Sequence, residues 1–199
     1  MKQIFSLLLT LTIASCGLWA QKSVATTAKN MTANPRNQIQ WTTIENASQM
    51  KDNTKLYFVD FYTNWCGWCK RMDKDVFSDT TIIKLMNRYY VPVKFNAEGN
   101  SEFSWKGTKY VGTPVPPNGR PTLHSFTRTM LGNQMGFPSF IVYGKDRSTI
   151  TVLQGYQPVE DLTIVLWYFA SGDYRKYSYE KYQSIFEKEI RPKMNAALR

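Results

Sequence analysis

Leu56-Tyr57-Phe58-Val59-Asp60-Phe61-Tyr62-Thr63-Asn64-Trp65-Cys66-Gly67-Trp68-Cys69-Lys70 is the stretch that decides the fold. An apolar run of strand length, Leu56 to Tyr62, leads through a C-x-x-C pair into Lys70 to Phe77, a run of helical character. A strand that enters a helix through two cysteines so spaced reads as a dithiol/disulfide site on an α/β scaffold. Residues three apart on a helix carry Cβ atoms roughly 5 to 6 Å apart, close enough for a small adjustment to bring two sulfurs into bonding distance. Cys66 falls at the helix start, where unpaired backbone N–H groups and the positive end of the helix dipole favour a thiolate. Cys66 is therefore the candidate nucleophile, and Cys69, one turn further on, the candidate resolving thiol.

Val59-Asp60-Phe61 ahead of Trp65-Cys66, with Lys70 after Cys69, resembles the active site of the thioredoxin superfamily. The longer wording, with Val76-Phe77-Ser78-Asp79 downstream, resembles exported bacterial relatives. Among those is the thioredoxin-like domain of the thiol:disulfide interchange protein that passes reducing equivalents into the periplasm. The resemblance runs from Ile39 to about Gly172 with one long interruption. It implies an α/β thioredoxin-like fold, a central mixed sheet flanked by helices.

The resemblance also implies roles. Asp60 matches a buried acid beneath the C-x-x-C helix, and Lys94, in the strand Val91-Pro92-Val93-Lys94-Phe95-Asn96, matches a lysine that approaches it. Alternate strand residues share a face, so Asp60 and Tyr62 project to one side and Val59 and Phe61 to the other. A carboxylate buried there has a raised pKa and can accept the Cys69 proton. The alternative is an ordinary salt-bridged core aspartate. Gly136-Phe137-Pro138-Ser139 matches the superfamily's cis X-Pro opposite the C-x-x-C. By that match Pro138 is cis and Phe137 offers its backbone to an extended substrate. Trp65, Gly67 and Trp68 complete the expected substrate-binding set.

Length and composition set the outer bounds. A chain of 199 residues with 43% apolar and 15% aromatic side chains has ample material for one folded core plus appendages. Residues 1–20 carry Lys2, an apolar run from Ile4 to Ile13 and then small residues, the layout of an export signal. Two exits compete: cleavage after Leu18-Trp19-Ala20, or lipidation of Cys16 after the lipobox-like Ile13-Ala14-Ser15. Either removes Cys16 from thiol chemistry and leaves Cys66 and Cys69 as one functional pair. The net charge of +10 is spread along the chain, which reads as a solvated basic surface and not as a nucleic-acid interface.

Four regions follow: the signal 1–20, a polar linker 21–38, the thioredoxin-like domain 39–172, and an amphipathic C-terminal helical extension 173–199. Expected elements of the domain are a short strand Ile39 to Trp41, a helix Glu45 to Lys51, a helix Thr81 to Tyr89 capped by Ser78-Asp79, a hairpin around Gly144-Lys145-Asp146, and a helix Val159 to Ala170 closed by Gly172. Residues 98–136 form an insertion before the cis-proline strand. Within it Thr122 to Leu131 reads as a helix, and its only histidine, His124, as a surface residue without a partner. The aromatics Phe103, Trp105, Tyr110 and Phe126, interleaved with Lys106, Lys109, Arg120 and Arg128, read as a wall over the substrate groove, because specificity is commonly carried on loops.

Three functions remain open. The first is an exported, periplasmic thiol:disulfide oxidoreductase acting on protein thiols and disulfides, with no cofactor and regenerated by a membrane-embedded reductant donor. Gly67-Trp68 lacks the histidine or leading proline of strongly oxidising relatives, which favours a reductase or electron carrier. The second is a Cu(I)-handling protein, since two thiolates suit a soft metal. Zinc would want four ligands where one C-x-x-C gives two, and a c-type haem would need a histidine where Lys70 stands. The third is a binding module with an inert disulfide, which would require Cys66 to be buried.

Overall fold

The computed structural model describes residues 37–51, 54–115, 117, 119–132 and 135–199. The expected export signal 1–20, Cys16 and the expected linker up to residue 36 lie outside the described residues.

The sheet is built on β1 (Leu56–Tyr62), the run that opens the deciding stretch. β2 (Tyr90–Asn96) lies parallel to it on one side, β5 (Ser139–Tyr143) antiparallel on the other, and β6 (Thr149–Gln154) antiparallel beyond β5, giving the order β2-β1-β5-β6. Because β1 and β5 are buried on both faces, alternation sends their apolar side chains into two separate cores.

The first core takes Phe58 of β1 with Phe140 and Val142 of β5. Against them pack α2 (Gly67–Asp75), α3 (Thr80–Tyr89) and α5 (Val159–Ala170), together with the C-terminal extension. Asp79 begins α3 by accepting the backbone N–H groups of Thr81 and Ile82. Gly172, with φ of 79°, closes α5 in the left-handed conformation that glycine adopts without steric cost.

The second core takes Tyr57, Val59 and Phe61 of β1 with Ile141 and Tyr143 of β5. It is covered by α1 (Ile44–Gln49), by a hairpin of β3 (Glu102–Trp105) and β4 (Thr108–Val111), and by α4 (Ser125–Leu131). Here the sequence reading needs correction. Phe103, Trp105, Tyr110 and Phe126 are buried in this core, so they form no wall over a substrate groove. The hairpin turns through Lys106 and Gly107, both with positive φ (51° and 79°), between the paired residues Trp105 and Thr108. A two-residue loop with positive φ at both positions matches the twist of the strands it joins. Gly112 then passes Asn100 so closely that a Cβ would lie 2.4 Å from the Asn100 Cα, which excludes any larger residue.

His124 also differs from expectation. It is fully buried, precedes α4 as its N-cap and stacks on Phe103. The Phe126 N–H donates to Nδ1 (3.0 Å), so Nε2 carries the hydrogen and donates to the Ser101 carbonyl (2.9 Å). The side chain ties the base of the hairpin to the start of α4, and burial lowers its pKa.

Two further elements differ in extent. Ile39 to Trp41 forms no strand: the Gln40 N–H goes to the Asn87 side chain and that of Trp41 to the Ile39 carbonyl, leaving one parallel bridge between Thr42 and Val93. The extension is not one uniform helix. It runs as α6 (Tyr179–Ile185), a π-helical segment Phe186–Ile190 and α7 (Arg191–Ala197). Pro192 supplies the reason, because it can donate no bond to residue 188 and its ring crowds that carbonyl. The π segment has a second effect. Tyr182, Phe186, Ile190 and Met194 are all buried at four-residue intervals, a spacing that would drift by about 40° per step around an ideal α-helix. Widening the turn brings that row back toward the core.

Candidate active site

Cys66 is the N-cap of α2, and its sulfur accepts the Cys69 backbone N–H at 3.0 Å. The two sulfurs are bonded, with their Cα atoms 5.3 Å apart. On reduction, the same N–H and the first-turn donors of α2 face the sulfur that would carry the negative charge. Cys66 is only 3% exposed, the condition attached to the inert-disulfide alternative. What is exposed is the rim. Trp65 (67%) and Trp68 (55%) stand on either side of the pair, and Gly67 between them is exposed as well.

Each indole is held by a different set of partners. The Trp65 N–H donates to both carboxylate oxygens of Glu98 (3.1 and 3.0 Å), and its ring meets Phe137 edge-on at 6.2 Å. Trp68 packs against Tyr156 at 5.6 Å, with the Arg71 guanidinium over both rings at 5.4 and 5.6 Å. The Phe137–Pro138 peptide is cis. Nothing in the sequence pairs Glu98 or Tyr156 with the cysteines, since each lies in a loop that only the fold brings to the rim.

Asp60 lies on the α2 face of β1, 1% exposed and directly across from Lys94 in the parallel register. Lys94 Nζ reaches Asp60 Oδ2 at 2.6 Å and also pairs with Asp73 of α2. The Asp60 Oδ1 atom has no hydrogen-bond partner among the described residues. Burial pushes the Asp60 pKa up to about 6; Lys94 pulls against that rise, and the second carboxylate, Asp73, adds to it. Burial acts to lower the Lys94 pKa, but the two carboxylates outweigh it and hold the ammonium protonated. The Trp41, Phe77 and Tyr62 rings, 4.8, 5.1 and 5.4 Å from Nζ, enclose the same charge. Asp73 and this aromatic enclosure escaped the sequence reading, although Asp73 stands one helical turn beyond Cys69. Among the described residues, no three His, Cys, Asp or Glu side chains group to hold a metal ion.

Over 78 residues the chain is 35% identical to the thiol:disulfide interchange protein DsbD of two Campylobacter jejuni strains. That match takes in 37% of this chain and 14% of the relative, so the chain corresponds to a small part of DsbD. A thioredoxin-fold protein from Helicobacter pylori has the same fold, with a TM-score of 0.51 at 17% identity over 83% of this chain and 92% of that one. The model of the thioredoxin-like domain matches residues 45–170, well over half of the chain, and the protein belongs to that thioredoxin-like family.

Proposed function

We propose that the protein is an exported thiol:disulfide oxidoreductase that works as a reductase or electron carrier. The observation that carries the reading is the Cys66–Cys69 pair at the start of α2, set between exposed indoles and on the same sheet face as a buried acid of raised pKa. In the reduced protein the Cys66 thiolate attacks one sulfur of a substrate disulfide. The substrate S–S bond breaks, a mixed disulfide forms on Cys66, and the departing substrate sulfur takes up a proton. Asp60, mostly ionised at neutral pH, accepts the Cys69 proton while Lys94 stays charged beside it. The Cys69 thiolate then attacks Cys66 Sγ, the second substrate sulfur leaves and is protonated, and the protein holds the Cys66–Cys69 disulfide. Two electrons have passed to the substrate.

Trp65, Gly67, Trp68, Phe137 and Pro138 line the approach for protein thiols and disulfides. Regeneration calls for an outside dithiol, and the similarity to part of DsbD supports a membrane-embedded donor. Export rests on Lys2, the apolar run to Ile13 and the small residues before Gln21. Lipidation of Cys16 would add an anchor; no described helix is long and apolar enough to cross a membrane.

Trapping tests the roles. Cys69→Ser should accumulate mixed disulfides on Cys66 and Cys66→Ser none; equal trapping by the two variants would refute the assignment. Equilibration with glutathione buffers tests the direction, with a potential expected nearer about −270 mV than the oxidising extreme near about −120 mV. A value above roughly −150 mV would make the protein an oxidant. An inert disulfide would trap nothing in either variant.

A further inference from the structure

We infer that Glu98 is a specificity-determining residue of the dithiol groove, selecting disulfide-bearing segments with a lysine or arginine beside the bond on the Trp65 side. The inference rests on the oxidoreductase reading above and names the chemistry of its partner.

Glu98 is fixed from the backbone outward. It follows β2 by two residues; the Ala97 N–H donates to the Tyr62 carbonyl (2.8 Å) and the Glu98 N–H to Asn96 Oδ1 (3.0 Å). Its carboxylate receives the single Trp65 indole N–H between its two oxygens. An ionised carboxylate offers about four acceptor positions, so one donor leaves most of that capacity unused.

The charge pattern makes the spare capacity informative. Lys and Arg outnumber Asp and Glu by 25 to 15. Asp60, Asp73, Asp75, Glu102 and Glu160 each meet a cation. Glu98 forms no ion pair among the described residues. On the Trp68 side the local charge is already balanced, because Arg71 pairs with Asp75 at 3.1 Å. The rim therefore carries a negative charge without a described counter-ion at Trp65, within a chain of net charge +10.

That charge sits beside a largely exposed aromatic ring. A substrate ammonium or guanidinium entering there would meet the Glu98 carboxylate and the face of Trp65 together, a combination that selects cations over anions. Exposed pairs of this kind change rates by about twofold to fivefold. The competing explanation is that Glu98 only pins the indole. Glu98→Gln separates the two, since a glutamine oxygen can still accept the indole N–H but carries no charge.

The test follows oxidation of the reduced full chain, at low ionic strength, by three disulfides. Two are peptides identical except for Lys or Glu next to the cystine, and the third is neutral hydroxyethyl disulfide, to which both rates are normalised. The Lys-to-Glu rate ratio should fall about twofold to fivefold from wild type to Glu98→Gln, fall further in Glu98→Lys, and shrink in wild type when salt is raised to about 1 M. A ratio that is the same in wild type and both variants would overturn the proposal. Failure of all three disulfides to react would overturn the oxidoreductase reading, and this proposal with it.

Discussion

The two faces of the sheet carry cores of similar make-up, yet they do different work. On one face α2 packs its Met72 against the core that holds Phe58 and Phe140, and carries the cysteines on the side of the sheet where Asp60 and Lys94 pair. On the other, α1, the β3–β4 hairpin and α4 cover Tyr57, Val59 and Phe61, with His124 and Thr127 among the buried polar groups. One β-strand serves both, because successive side chains of β1 point in opposite directions. The candidate site thus lies on one face and its rim, while the other face keeps β1 dry on its far side. This division between the faces requires the hairpin to be part of the core.

Replacing Gly99 to Pro117 with a short Gly/Ser linker puts that condition under the greatest strain. The replacement removes Phe103, Trp105 and Tyr110, three buried aromatics that close on Phe126 and Tyr143. Truncating a single buried aromatic costs about 3–5 kcal/mol, and a domain of this size has only about 5–15 kcal/mol in total. The replacement should therefore abolish cooperative unfolding, followed by circular dichroism in urea. A variant that unfolds cooperatively within about 1 kcal/mol of the parent would show the hairpin to be an excursion and collapse the distinction between the faces.

The difference between the faces also explains what was legible in the sequence. The redox face announced itself because Cys66, Cys69, Asp60 and Pro138 belong to one pattern of residue types, and because Ile82, Leu85 and Met86 recur at helical spacing. The hairpin carries a pattern too: Glu102 and Ser104 are exposed while Phe103 and Trp105 are buried, a period of two. Each of its strands is only four residues long, and it turns through Lys-Gly where Asn-Gly or Asp-Gly would mark such a loop. The prolines and cations around it then imitate a surface segment. His124 was illegible for another reason: its partners Ser101 and Phe103 lie more than twenty residues away and arrive only when the hairpin folds back. Pro192 was visible, but its consequence, a π turn that realigns the Tyr182–Met194 row, depends on the core against which the row packs.

A smaller effect should come from Asp60→Asn, which tests the chemistry of the redox face. The folded protein holds the Asp60 proton up to a pKa of about 6, against 3.8 for the free group, so it binds that proton more tightly than the unfolded chain does. By linkage, Asp60 lowers stability progressively as pH rises from about 4 to 6, and the cost persists above that range. A tenfold difference in proton affinity between the folded and unfolded chain corresponds to about 1.4 kcal/mol. The asparagine variant should therefore be more stable at pH 8 by roughly 1–3 kcal/mol, with Lys94 still paired to Asp73. Resolution of the mixed disulfide should slow by at least about tenfold near neutral pH, read by rapid quench, because the proton acceptor is gone. Greater stability with an unaltered rate would leave Asp60 an ordinary core acid and remove the chemical difference between the faces.

The smallest effect should come from the opposite face and run in the opposite direction. A second proton on His124 would have to sit on Nδ1, which already accepts the Phe126 N–H. Burial opposes the imidazolium most strongly and nearby Arg128 opposes it further. The Ser101 carbonyl and Glu45 favour it, and the net result is a lowered pKa. In the unfolded chain the ring takes its proton near pH 6.5, before the folded protein does. The contribution of His124 is therefore intact above about pH 6.5 and is lost as the pH falls below it, the reverse of Asp60 in the same window. In an Asp60→Asn background, the urea midpoint should drop between pH 7.5 and 5.5, and adding His124→Asn should flatten that drop. Asparagine can accept the capping N–H but does not titrate. It also gives up the stack on Phe103, so the level of stability will fall, and the slope is the quantity to read. Carboxylates other than Glu45, whose pKa the His124 charge helps to lower, titrate alike in both variants and cancel, so the change in slope reads the His124–Glu45 pair. An undiminished slope in the double variant would mean that His124 does not couple the hairpin face to pH, leaving Asp60 as the one buried group among those described that makes the two faces respond differently to acid.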